Sequence, residues 1–225
     1  MSLLTEEALR ALRLSAGQRE LFVAPGTVCS PSALDYLASR GIALIFSGEL
    51  ATAKPGTPKP EHLTHLRGDE LVPKNHPVIA FRGEMDTLFA QLAEAGTVCA
   101  LSSHKELCGE IGEILAFARA ILRSEVKGEA FTQAELLEHS LDEYHIMSHN
   151  PQKYFGIEHP IPQPGMGAAA LRLNTIRTQV RRAELAAARA FLCTSGGIDR
   201  ADIITALNRL SSVVYVLFCR EVAAG

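Results

Sequence analysis

Leu107, Ile111, Ile114, Leu115, Ala118, Ile121 and Leu122 recur at the spacing of an α-helix, keeping one apolar stripe over about four turns. A stripe that long must be buried against other elements, and four further segments can supply them. Phe81 to Ala95 reads as one helix. Thr132-Gln-Ala-Glu135 has the spacing of a capping box and opens another, running to about Met147. A fourth helix is expected from about Met166 to Cys193, ended by Gly196-Gly197. Asp199 caps a fifth, with Ile203, Leu207, Leu210, Val214, Leu217 and Phe218 facing inward. Asn150 to Gly167, rich in proline and glycine, reads as a loop. The fold class is therefore all-α, an up-and-down bundle of five helices in residues 63–225.

The first 50 residues read differently, as a small α/β appendage. Ser30-Pro31 starts a helix, with Ser as N-cap and Pro in the first turn, Gly41 ends it, and Ile42 to Phe46 follows as a short strand. Residues 51–62 form the linker, centred on the proline-rich stretch Ala53 to Pro60.

Composition excludes several function classes. A net charge of −3 gives no general affinity for nucleic acid or an anionic membrane. No apolar run is expected to reach the ~20 residues that cross a bilayer. Met1 to Leu14 is a charged amphipathic stretch without a signal-peptide centre, which points to the cytoplasm. Cys29, Cys99, Cys108, Cys193 and Cys219 are scattered with no CxxC pair, against both a disulfide framework and a cysteine zinc site.

Charge inside the fourth helix is the strongest functional signal. Arg177, Arg181 and Glu184 fall at i, i+4 and i+7, on one face of an alanine-rich run. Guanidinium forks in a fixed row suit a polyphosphate, although a solvated face or interhelical salt bridges would give the same pattern. Asp86, between Met85 and Leu88, would be costly to bury without a cation, and Arg177 is the candidate partner. Asn208, beside Arg209 in a run of apolar residues, either fixes a helix interface or binds a ligand. Thr64, Gly68 and Lys74 lie in a polar loop able to wrap phosphates. His62 and His65 have metal-ligand spacing but no cysteine or carboxylate set beside them. His145 and His149, at i, i+4 near a helix end, could ligate a metal, complement the helix dipole or line a ligand pocket.

The motifs T-x3-G-x5-K-x2-P from Thr64 to Pro77, G-E-M-D-x-L from Gly83, R-T-x2-R-R-A-E from Arg177 to Glu184 and L-N-R-L-S from Leu207 occur in this order. Together they resemble the ATP:cob(I)alamin adenosyltransferases of the propanediol-utilisation type. His145-x2-Ser148-His149-x-Pro151-x2-Tyr154 and the appendage look more like the ethanolamine-utilisation branch.

The resemblance implies transfer of the 5′-deoxyadenosyl group of ATP, bound with Mg2+, to the cobalt of a reduced corrinoid, giving adenosylcobalamin and triphosphate. It implies that Thr64, Gly68 and Lys74 hold the triphosphate, that Arg181, Arg182 and Glu184 bind ATP, and that Asn208 contacts the nucleotide. It pairs Asp86 with Arg177 across a helix or subunit boundary and places one of the two histidines, such as His149, in the corrinoid pocket. Where the propanediol type carries a phenylalanine below the corrin, this chain has Ile161, with Tyr154 and Phe155 as other apolar candidates. The stretch leading into Thr64 holds no cysteine, so no structural metal is expected. Homo-oligomerisation is implied too, a trimer ahead of a dimer. So are ethanolamine ammonia-lyase as user of the product, a flavoprotein reductase as electron source and association with a bacterial microcompartment. A non-catalytic corrinoid carrier and a ferritin-type metal bundle are the competing readings. The second needs two inward Glu-x-x-His sets that the chain does not supply.

Overall fold

A computed structural model describes residues 3–12, 14, 18–23, 27–46, 51–52, 59–101, 104–193 and 197–224. The chain divides into two compact units, Met1–Lys74 and Asn75–Gly225. Most of the proline-rich stretch expected as a linker, residues 53–58, lies outside the described residues, as does Gly196.

In the first unit, β1 (Leu3–Leu4) pairs in parallel with β3 (Val28–Cys29), and β2 (Glu20–Val23) with β4 (Ala43–Phe46). Between them lie α1 (Glu6–Ala11) and α2 (Pro31–Ser39), which bury Leu9, Ala33 and Leu37 with Ile42. The Ser30 hydroxyl accepts the Ala33 amide at 3.2 Å, the cap that its sequence announces, and Gly41 (φ 64°) turns the chain away from α2. β5 (Ala51–Thr52), β7 (Glu70–Pro73) and β6 (Leu63–His65) then form an antiparallel sheet in that spatial order. The polar loop expected from Thr64 onward is thus largely a β-hairpin, and it groups with the appendage rather than the bundle.

The second unit is helical. Its elements are α3 (Pro77–Leu101), α4 (Lys105–Lys127), a short hairpin of β8 (Glu135–Leu136) and β9 (His139–Ser140), α5 (Leu141–Ser148), α6 (Pro151–Phe155), α7 (Ala168–Ala190) and α8 (Ala201–Ala224). α3 packs between α4 and α7, α7 against α8, and α5 on α8. The five expected helices are present. The core is built from Phe81, Met85, Leu88 and Leu92 of α3, the predicted stripe of α4, and the Leu173–Ile176–Val180 and Leu207–Leu210–Val214 faces of α7 and α8.

Four local expectations change. Thr132–Glu135 does not open a helix: Glu135 and Leu136 pair with Ser140 and His139, and Leu136 turns into the core. The capping box belongs to Ser140 and Glu143, which bond each other's backbone amides at 3.2 and 2.8 Å. Both pairs have the same spacing, so the burial of Leu136 decides which one caps. The expected loop after Asn150 contains α6, with Pro151 in its first turn. α8 is long and apolar enough to cross a bilayer, contrary to expectation, but its apolar side chains form the bundle core.

α8 is anchored at its start by Asp202 rather than Asp199, whose carboxylate accepts the Cys193 thiol. Asp202 accepts the Phe131 amide at 2.8 Å and the Arg200 guanidinium at 2.9 Å. Burial alone would raise its pKa, but the Arg200 and backbone hydrogen bonds outweigh it and hold the carboxyl below the ordinary range. A lowered folded pKa gives stability that is present above the unfolded value and is lost as pH falls through the folded one. Asp202→Asn is expected to cost about 2 kcal/mol at neutral pH and less in acid. Urea midpoints at pH 7 and pH 3 check both.

Candidate active site

α7 sets out its polar residues in two ways. Arg172 and Arg182 are each held by a carboxylate of α3, Glu94 and Glu84, both at 2.9 Å. Gln179, buried between them, donates to the Glu84 backbone carbonyl and side chain at 2.9 and 2.8 Å. This row fixes α7 to α3.

Arg177 and Arg181 differ. Arg177 is half-buried, donates to the neutral Asn174 carbonyl oxygen at 3.2 and 3.3 Å, and lies 5.4 Å from the centre of the Tyr215 ring. Burial, and then the charge of Arg181, lower its pKa. Arg181 is exposed and makes no ion pair among the described residues. Two neighbouring guanidiniums, one half-buried and neither paired with a carboxylate among the described residues, form a site that an anion relieves.

Asn208 and Glu184 close the other end of this face. Asn208 Nδ2 donates to Glu184 Oε1 at 3.0 Å, while Arg209 donates to Asn208 Oδ1 at 2.9 Å. These two bonds fix which way the amide points. Arg209 is itself held by Asp142 of α5 at 2.9 Å. The network therefore joins α7, α8 and α5, and the helix-interface and ligand readings of Asn208 are compatible.

Beside it, His145 and His149 face each other with ring centres 4.6 Å apart, and His145 Nδ1 lies 3.5 Å from the Ser212 hydroxyl. Burial first, then Arg209 and His149, push the His145 pKa down, which favours the neutral ring. Among the described residues no group of three His, Cys, Asp or Glu side chains is arranged to hold a metal. Tyr154 is 41% and Ile161 80% exposed, both on the segment between α5 and α7.

Asp86 is not where the sequence suggested. It is exposed on α3 and makes no ion pair with Arg177 within the chain. Met85 and Leu88 enter the core, but adjacent helical residues point about 100° apart, so Asp86 points away from them. Glu84 and Glu94 are the α3 carboxylates that meet α7.

In the first unit, Thr64 is half-buried on β6 opposite Val72. The Lys74 amide donates to the His62 carbonyl at 2.9 Å, and its ammonium lies 3.9 Å from Glu61. Gly68 sits in the turn at the other end of the hairpin (φ 50°), where its carbonyl meets His65 Nδ1 at 3.0 Å. Lys74 is four strand residues from Glu70, about 13 Å along the hairpin from that turn.

Sequence reasoning missed Tyr215, His159, Glu84 and Asp142. A signal existed for the first: Tyr215 is seven residues after Asn208, two turns along the same face of α8.

Residues 57–221 match the cobalamin adenosyltransferase family. The chain is 33% identical over 177 residues to the corrinoid adenosyltransferase EutT of Salmonella typhimurium, which covers 76% of this chain and 62% of that one. Against the corrinoid adenosyltransferase EutT of Escherichia coli it is 34% identical over 173 residues, 75% of this chain and 62% of the other. The chain spans about three-fifths of the length of these curated relatives. With the arginine row of α7 and the Glu184–Asn208 bond inside the matched residues, the chain belongs to the cobalamin adenosyltransferase family.

Proposed function

We propose that the protein transfers the 5′-deoxyadenosyl group of magnesium-bound ATP to Co(I) of a reduced corrinoid. The observation that carries this reading is the pair Arg177–Arg181, cationic and without a carboxylate partner among the described residues of one subunit. A corrinoid carrier has no use for such a pair, whereas a triphosphate leaving group does.

In the reaction, Co(I) donates its electron pair to C5′ of ATP. The C5′–O bond breaks, and the bonding electrons leave with triphosphate. No protein nucleophile or general base is consumed, so the protein's work is alignment and charge stabilisation. Arg181 is exposed and has no ion-pair partner among the described residues, and its planar fork is the group assigned to the charge that develops on the leaving oxygens. Arg182 and Glu184 bind the nucleotide, and Asn208, its amide oriented by Arg209, contacts it. Thr64, Gly68 and Lys74 are the further triphosphate contacts that the family resemblance assigns.

Exposed Asp86 is proposed to reach Arg177 of a neighbouring subunit in a homo-oligomer. Apolar Ile161, with Tyr154, excludes water and the axial ligand from the lower corrin face, and His149 lines the same pocket. An ethanolamine-utilising context fits the relatives' shared name; ethanolamine ammonia-lyase as recipient and a flavoprotein reductase as electron donor are the partners that the family resemblance adds.

The test is anaerobic absorbance with cob(II)alamin, ATP, Mg2+ and a chemical reductant. The expected result is a light-sensitive alkylcobalamin spectrum that requires ATP. A corrinoid spectrum that shifts on binding but never yields product would replace this reading with the carrier.

A further inference from the structure

The segment between α6 and α7 returns to α8 at one point that the proposed chemistry does not use. His159 Nδ1 lies 2.8 Å from the Tyr215 hydroxyl, and the two rings stack at 21° with centres 6.1 Å apart. The same Tyr215 ring carries the Arg177 guanidinium. His159 is itself exposed, so core packing does not account for this contact.

The chain just beyond His159 is stiff. In Pro160-Ile161-Pro162-Gln163-Pro164, every second residue has φ fixed near −65°, and each residue before a proline is held extended. Fixing one end of such a strap fixes the direction of the rest. Ile161, two residues on, lies within about 7 Å of His159 along the chain. At 80% exposure it is the most exposed large apolar side chain among the described residues.

We infer that His159 and Tyr215 form a positioning pair, whose hydrogen bond anchors the proline strap to α8 and holds Ile161 against the flat macrocycle of the corrinoid. The identity of that ligand rests on the proposed function; the anchor itself does not. With Nδ1 unprotonated, the phenol donates to the imidazole. Burial, with the charge and hydrogen bond of the neighbouring Cys219, pushes the Tyr215 pKa up to about 12, so the phenol keeps its proton.

Tyr215→Phe and His159→Phe each keep a ring and remove the hydrogen bond. Two readouts decide the matter. Amide hydrogen exchange in residues 156–167 is expected to speed up about five-fold in either variant, and no further in the double variant. The corrinoid KM is expected to rise by a similar factor while the ATP KM stays fixed, which loosened packing alone would not produce. Unchanged exchange in both single variants overturns the anchor. Faster exchange with equal changes in both KM values overturns the positioning role. If the wild type makes no product, the proposed function fails, and the Kd for cob(II)alamin replaces KM: weakening in both variants supports the pair, and an unchanged Kd overturns it.

Discussion

Arg181→Ala is expected to slow adenosyl transfer by about 100- to 1000-fold, the cost of removing one preorganised group that stabilises charge on a leaving group. Arg181 is exposed and has no ion-pair partner among the described residues, so its loss leaves no buried charge behind and the fold should be unaffected. The effect should fall mainly on kcat, because the charge it meets develops as the C5′–O bond breaks. Arg181→Lys keeps the charge but not the bidentate fork and should lie between the two. Steady-state rates with unchanged thermal midpoints give the check. A drop of less than about three-fold would move the leaving-group role elsewhere, Arg177 first.

The second large effect concerns stability. Glu125 of α4 is fully buried, and its carboxylate receives Arg82 of α3 through Nε at 2.8 Å and a terminal nitrogen at 3.2 Å. Arg82→Met deprives a buried carboxylate of that fork and should cost about 3–5 kcal/mol in urea unfolding. Changing both residues, to Met and Leu, should recover most of the loss, since no buried charge is then left. A single-variant cost under about 1 kcal/mol would show that the bridge is not what ties α3 to α4.

Sequence range separates the features that were legible in the chain from those that were not. The α4 stripe is a property of one segment, and its spacing alone placed Ile111, Ile114, Ala118 and Ile121 in the core. The row Arg177–Arg181 was legible for the same reason. Whether those arginines are balanced depends on α3 and α8, and the sequence could not show that Glu84 takes Arg182 and leaves Arg177 to Asn174 and Tyr215. Asp86 has apolar neighbours in sequence, but the helix turns Met85 and Leu88 to another side and leaves the carboxylate exposed. Thr132 and Ser140 carry the same local signal, and only the tertiary burial of Leu136 separates them. The hairpin that holds Thr64 and Lys74 was hidden by polar, proline-bounded strands with little apolar alternation. The His159–Tyr215 contact joins residues 56 apart, which no local pattern records.

The most direct test of the central claim is a count of products from one anaerobic reaction. Triphosphate and adenosylcobalamin should appear in a ratio of one to one, with neither ADP nor orthophosphate formed in step. Release of ADP and orthophosphate, or triphosphate without a cobalt–carbon product, would contradict attack of Co(I) on C5′ and assign the arginine row to a different phosphate chemistry.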